Sequence, residues 1–273
     1  MKRLILTALI LCAPVIHSAN PKLAPADIVG KSITALGAVE IRAQLKYQEL
    51  TGTATMRSMS TGGLNGGTAV LVSEGRMVKF ATKFGQKGEY PGDQFVFDGN
   101  KVMVSNITPG RHSSLGEFFW WQQTVLREGL FGGVLSTAWP LYDLAARKAE
   151  LSYDGTTKVD GRDAHQIVYR PKKSDGALSI RLLFDAETFR HVKTIYDVRV
   201  PANLDVQAVR SEREQNSVYR LEETFSEFRQ VNGLTLPTKH KLTYSVDASS
   251  TQNWVWEITY NDLNGVSLAA VAP

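Results

Sequence analysis

Apolar and polar side chains alternate with a period of two through much of this chain. Leu178, Ile180, Leu182 and Phe184 occupy every second position with Ser179 and Arg181 between them, and Val192, Thr194, Tyr196 and Val198 repeat the period against Lys193, Asp197 and Arg199. Such alternation marks strands with one buried and one wetted face. Asp175-Gly176 and the short stretch from Ala186 to Arg190 join these runs too tightly for a helical crossover, so the strands are expected to be antiparallel neighbours. The same pattern recurs from Leu45 to Met59 with Leu50, Ala54 and Met56 on one parity, and from Thr68 to Ser73 after a Gly62 to Gly67 loop. Val78, Phe80 and Phe84 oppose Lys79 and Lys83, and Phe95 and Phe97 turn through Asp98-Gly99 into Val102 and Val104. Tyr219, Leu221 and Phe225, then His240, Leu242, Tyr244 and Val246, then Trp254, Trp256, Ile258 and Tyr260 complete the series. Seven Asn-Gly or Asp-Gly dipeptides, at 65, 98, 154, 160, 175, 232 and 264, predict that most connections are tight sheet turns.

Two stretches break the alternation. Pro25 suits a first helical turn, Val29, Ile33 and Leu36 fall on one helical face, and Gly37 stops the helix. Between Ser113 and Lys148, Phe118, Trp121 and Val125 share one predicted helical face, flanked by Leu115, Phe119 and Leu126 and ended by Gly129 and Gly132-Gly133. A second helical piece is predicted from Pro140 through Leu141, Leu144 and Ala145. Phe118-Phe119-Trp120-Trp121 is apolar at consecutive positions, so this helix either buries both faces or meets something besides the sheet. Leu204 to Asn216 is polar and predicts a solvated loop or strand edge.

Val159-Asp160-Gly161-Arg162-Asp163-Ala164, followed by Leu183-Phe184-Asp185-Ala186-Glu187-Thr188, resembles the signature of the outer-membrane lipoprotein-sorting superfamily. That group includes LolA-type lipoprotein carriers and mycobacterial lipid-binding lipoproteins. Ser32 to Gly37, Val96 to Lys101 and Phe228 to Pro237 extend the similarity along the chain. These motifs are turn signals, which specify a fold better than a task. The resemblance implies one domain: a mainly β, highly curved antiparallel half-barrel of about eleven strands with helices on its concave face. The related carriers use a polar cavity residue, typically Arg, to hold a lid shut. No Arg here aligns to it, and no functional residue is carried over.

Composition narrows the chemistry. Lys2 and Arg3 precede an uncharged run from Leu4 to Ile16, the layout of a secretory signal peptide ending near Ala19. The expected mature chain, residues 20–273, is a single domain exported to the periplasm. The only cysteine, Cys12, falls within that signal. Its loss leaves no disulfide, thiolate metal site or cysteine nucleophile. Removing Lys2 and Arg3 takes the basic count from 31 to 29 against 27 acids, with no clustered basic arm to suggest nucleic acid.

Catalytic signals are missing at the sequence level. His112, His165, His191 and His240 sit in no metal-ligating spacing, no GxSxG elbow or Walker loop occurs, and no cofactor or metal is expected. Asp154, Asp160 and Asp163 crowd together, but two of them precede Gly in the manner of turns. What stands out is aromatic and aliphatic excess on a sheet with few helices to cover it. Phe80, Phe84, Trp120, Trp121, Trp254 and Trp256 either fill a solid core or line an apolar cavity, and residue counts do not separate the two.

The family resemblance favours the cavity. It implies a non-enzymatic periplasmic carrier or binder of a lipid, a lipoprotein acyl chain or another hydrophobic ligand. The expected monomer would exchange its ligand with a membrane-bound donor or acceptor protein. Phe80, Phe84, Trp254 and Trp256 are the wall candidates, and Phe118, Trp121, Val125 and Leu126 the lid candidates. The alternative is an envelope stress sensor or assembly module that binds a protein partner with the same fold.

Overall fold

The computed structural model describes residues 23–59, 62–85, 90–106, 113–173, 176–200, 217–247, 252–264 and 266–267. Residues 1–22, where a signal peptide is expected, His112 and the polar stretch 204–216 lie outside the described residues.

Twelve strands form one unclosed antiparallel sheet. In chain order they are β1 (Tyr47–Ser58), β2 (Leu64–Glu74), β3 (Met77–Phe84), β4 (Asp93–Phe97), β5 (Val102–Asn106), β6 (Glu150–Val159), β7 (Arg162–Arg170), β8 (Leu178–Asp185), β9 (His191–Val200), β10 (Ser217–Val231), β11 (Leu234–Asp247) and β12 (Gln252–Leu263). Their spatial order is β5-β4-β3-β2-β1-β12-β11-β10-β9-β8-β7-β6, and a short β13 (Val266–Ser267) pairs with β12. The single break in sequential order joins β1 to β12. The two halves of the chain are thereby fused into one surface whose free edges are β5 and β6.

The alternation read from the sequence sets the sheet's two faces. Leu50, Ala54, Met56, Leu71, Phe80, Leu221, Leu242 and Trp256 are buried on the concave side, while Lys79, Lys83 and Lys241 are exposed on the other. Strand β2 begins four residues earlier than predicted and absorbs Gly66 and Gly67. A side chain at Gly67 would collide with the Lys83 carbonyl of β3, so the glycines here permit close strand approach. Two other dipeptides also fail to turn: Asn65-Gly66 lies within β2, and Asp154-Gly155 sits at the irregularity between Tyr153 and Thr156 in β6. Asp160, Asn232 and Asn264 do turn, each with positive φ.

The motif residues of the superfamily resemblance knit one turn. Asp185 accepts from the amides of Glu187 and Thr188 and from the Thr188 hydroxyl, and Arg162 Nε reaches it at 3.0 Å. Partial burial opposes ionisation of Asp185. The Thr188 bonds and Arg162 outweigh it and hold the carboxyl below its ordinary range. Asp154 accepts from Gln166 and Asp163 pairs with Lys158, so these carboxylates are engaged in sheet contacts.

Helix α1 (Pro25–Leu36) starts at its proline and ends at Gly37, as the pattern predicts, and Gly37 bridges to Leu234. Helix α2 (Val39–Gln44) follows it. The crossover from β5 to β6 is broken into short pieces: α3 (Ser114–Trp121), α4 (Gln123–Arg127), two 3-10 turns (Gly133–Leu135 and Pro140–Tyr142) and α5 (Leu144–Arg147). This crossover covers the concave face. Phe118 lies 5.7 Å from the ring of Tyr244 on β11 while its neighbour Phe119 lies 4.5 Å from Phe95 on β4, so the sheet curls around α3 from both sides.

The connections are unequal at the two ends of the sheet. At one end the strands join through tight turns at 75–76, 98–101, 160–161, 186–190 and 232–233. The strand ends that flank the longer sequence intervals 59–63, 85–92, 171–177, 201–216 and 248–251 all lie at the other end.

Candidate functional site

Helix α3 is started by Ser113, whose hydroxyl accepts from the Gly116 amide while itself donating to Asp93 at the start of β4. The helix stops at Gln122, whose backbone (φ −106°, ψ 52°) is not helical. This break alters the predicted face. Phe118, Val125 and Leu126 are buried, but Trp121 is 58% exposed and rests edge-on against Tyr219 at 5.8 Å. Had the helix continued, Trp121 and Val125 would share a stripe; after the break they do not.

Behind α3 and α4 lies the floor of the crossover, Gly129 to Leu141. Leu130, Phe131, Leu135 and Trp139 are essentially inaccessible. They fill the space between sheet and helices together with Phe80, Phe84, Phe118, Val125, Leu126 and Trp256, six of the eight predicted ligand-site residues. Phe131 meets Phe80 at 5.0 Å and Phe119 at 5.2 Å, both edge-on. Trp254 packs half-buried on Tyr244 at 5.6 Å. The expected open cavity is thus occupied in this state by the crossover's own side chains. A surface groove of about 530 Å³ opens elsewhere, beside Tyr169, Arg170, Leu178 and Ile180, and none of the eight residues lines it.

Polar bonds pin the floor to the sheet. Glu223, fully buried on β10, accepts from the Gly132 amide at 2.8 Å and from the Tyr196 hydroxyl at 2.6 Å, and contacts His240 Nε2 at 2.8 Å. Burial and the adjacent Glu223 push the Tyr196 hydroxyl well above its ordinary pKa, so it remains a donor. Gly132 and Gly133 both have positive φ, and a side chain at Gly133 would strike His191 and Phe225. The backbone therefore comes close enough to the sheet for its amide to reach Glu223. Ser73 accepts from the Thr137 amide at 2.9 Å, and Arg147 donates to the carbonyls of Glu128 and Ala138.

His191 stands beside this network without a charge partner. Trp139, Phe184 and Phe225 surround its ring at 4.9–5.4 Å, and its Nε2 meets Thr194 Oγ1 at 2.9 Å. Burial pushes its pKa down to about 3, with a smaller contribution from His240. The folded protein keeps this ring neutral, whereas an unfolded chain protonates it below about pH 6.5. Stability contributed by the neutral ring is therefore complete above that pH and is lost as pH falls toward 3, at up to about 1.4 kcal/mol per pH unit. Urea midpoints measured across this window should flatten in His191→Phe. An unchanged slope would place the acid sensitivity elsewhere.

Glu223 was absent from the sequence-based candidates although its signal was present. It occupies the inward parity of Tyr219, Leu221 and Phe225, where a carboxylate needs partners to be tolerated. His240 shares the inward parity of Leu242 and Tyr244 for the same reason. Among the described residues, no group of His, Cys, Asp or Glu is arranged to hold a metal ion, and no helix is long and apolar enough to cross a membrane.

No family model matches the sequence, and no curated protein matches it. The fold is similar to solved structures. A LolA superfamily protein from Nitrosomonas europaea aligns at TM-score 0.47 and 12% identity over 89% of this chain and 93% of that one. A lipoprotein-sorting-type domain from Vibrio parahaemolyticus gives 0.44 and 11% over 90% and 93%. A DUF1329 family protein from Desulfovibrio piger gives 0.41 and 9% over 92% and 96%. These are likenesses of shape to which no activity attaches.

Proposed function

We propose that this protein is a non-enzymatic periplasmic carrier or binder of a lipid or similar hydrophobic ligand, with α3 and α4 as a displaceable lid. The supporting observation is the uneven way the crossover is fastened. Its floor is tied to the sheet through Glu223 and Ser73 and braced within the crossover by Arg147, whereas the lid's inner side is apolar: Leu115, Phe118, Phe119, Val125 and Leu126 are each at most 2% exposed. Among the described residues, the lid's polar ties are peripheral. They include Ser113 to Asp93, the Arg127 carbonyl, which Arg76 approaches at 3.4 Å, and the cap residue Glu128, whose carboxylate accepts from Tyr169 of β7 at 2.8 Å, all at the ends of the lid.

Magnitudes decide how much can move. An acyl chain contributes about 0.8 kcal/mol per buried methylene, so ~14 methylenes supply about 11 kcal/mol. Exposing a buried Phe, Leu or Val costs about 1.5–3 kcal/mol. One chain taken up from water therefore offsets the release of about four to seven such side chains. That matches the lid and falls short of the whole crossover. With the lid lifted, the guest would lie against Phe95, Phe131, Tyr196 and Tyr244, the rings that Phe118 and Phe119 now touch.

Solvent extraction of the purified protein followed by mass spectrometry tests the reading, together with titration of the extracted protein by a fluorescent palmitate analogue. Co-purifying lipid and saturable uptake are expected. A clean extract with no uptake would remove the carrier reading and favour the partner-binding alternative.

A further inference from the structure

The end of the sheet that carries the longer connections also carries an aromatic and aliphatic string. Trp121 rests on Tyr219, which pairs across β10 and β11 with Val246. Tyr244, two residues along β11, stacks on Trp254 of β12. Trp254 pairs with Ser58, and the Met59 amide bonds to the Asn253 carbonyl beside it. Leu64 follows at the start of β2. Trp120, Trp121, Met59, Leu64 and Val200 on this rim are 45–58% exposed. Scattered exposed apolar residues need no explanation, but five gathered at one end of the sheet, two of them adjacent tryptophans, do.

Charge specifies what the row would meet. Leu64 pairs directly with exposed Arg57, Lys83 is the penultimate residue of β3, Arg199 precedes Val200 and Lys172 follows β7, so exposed cations line the outer face of this end of the sheet. Among the described residues, Glu117 on α3, Asp247 at the end of β11 and Glu150 at the start of β6 are exposed acids at this end. Tryptophan interleaved with exposed Lys and Arg suits a bilayer interface, where indole rings sit at headgroup depth and cations meet anionic headgroups.

We infer that this rim docks on the surface of an anionic lipid bilayer, with Trp120 and Trp121 entering the headgroup region. The inference does not depend on ligand uptake. It does place the lid's outer side against the membrane, and so would bring the lid to a source of lipid.

The test is co-flotation of the full chain with phosphatidylcholine vesicles, with and without phosphatidylglycerol. Flotation with the anionic vesicles only, weakened by salt, is expected. Trp120→Ser with Trp121→Ser should lower partitioning about tenfold, and Arg57→Gln with Arg199→Gln about thirtyfold. Tyr47→Ser with Met77→Ser, which removes exposed apolar residues at the tight-turn end, should change nothing. Quenching of tryptophan emission by brominated phosphatidylglycerol in the unsubstituted protein provides a readout independent of any variant's folding. Absence of flotation and quenching, or equal losses from rim and control substitutions, would overturn the docking face. A protein that floats but takes up no palmitate analogue would keep the docking face and lose the carrier reading.

Discussion

Glu223→Ala should be the most damaging single truncation among the polar residues of the interior, lowering stability by about 3–5 kcal/mol. The substitution leaves the Gly132 amide, the Tyr196 hydroxyl and His240 Nε2 facing a void with no acceptor, all in a region shut off from water. Each of these groups loses a partner that water cannot replace. Glu223→Gln keeps one acceptor oxygen but points an amide at groups that already donate, so about half of the loss is expected to remain. Glu222, the next residue on the same strand, supplies the control. Its carboxylate pairs with Lys193 on the outer face with side chains 21–23% exposed, and Glu222→Ala should cost less than about 1 kcal/mol. Chemical denaturation of the three variants checks this ordering. Equal losses for Glu222→Ala and Glu223→Ala would show that the buried network does not anchor the floor.

Hydrogen exchange locates the effect. In the unsubstituted protein, amides of α3 and α4 should exchange through local opening while those of residues 130–139 exchange only with the sheet. Glu223→Ala should bring the floor amides into the local-opening class. The division between a hinged lid and a fixed floor is thus measurable without any ligand.

Much of this architecture was legible in the sequence, because a half-buried strand imposes period two on its side chains and a turn demands residues tolerant of positive φ. Phe80, Leu221, Leu242 and Trp256 fell on the buried face by parity alone, and Asp160-Gly161 and Asn232-Gly233 marked true turns. The pattern failed where tertiary contact overrode it. Asn65-Gly66 reads as a turn, yet it lies within β2, where Gly67 lets the strands close together. Trp121 was placed on the inner face of a continuous helix, and no local signal in Trp121-Gln122-Gln123 announces the break at Gln122. Glu223 could have been found by asking why a carboxylate stands in an apolar register. Its partner Gly132 could not, since pairing a strand residue with a loop amide 91 positions away requires the folded chain.

The central claim, that α3 and α4 must leave the sheet for a hydrophobic guest to enter, is tested most directly by tethering them. Trp121 and Tyr219 touch at 5.8 Å between ring centres, one on the lid and one on β10. Trp121→Cys with Tyr219→Cys, in a chain lacking Cys12, allows a short bis-methanethiosulfonate linker to join them through two reducible disulfides, each formed with loss of methanesulfinate. Uptake of the fluorescent palmitate analogue should be abolished in the linked protein and restored when the linker is reduced. Undiminished uptake with the linker intact would contradict the account.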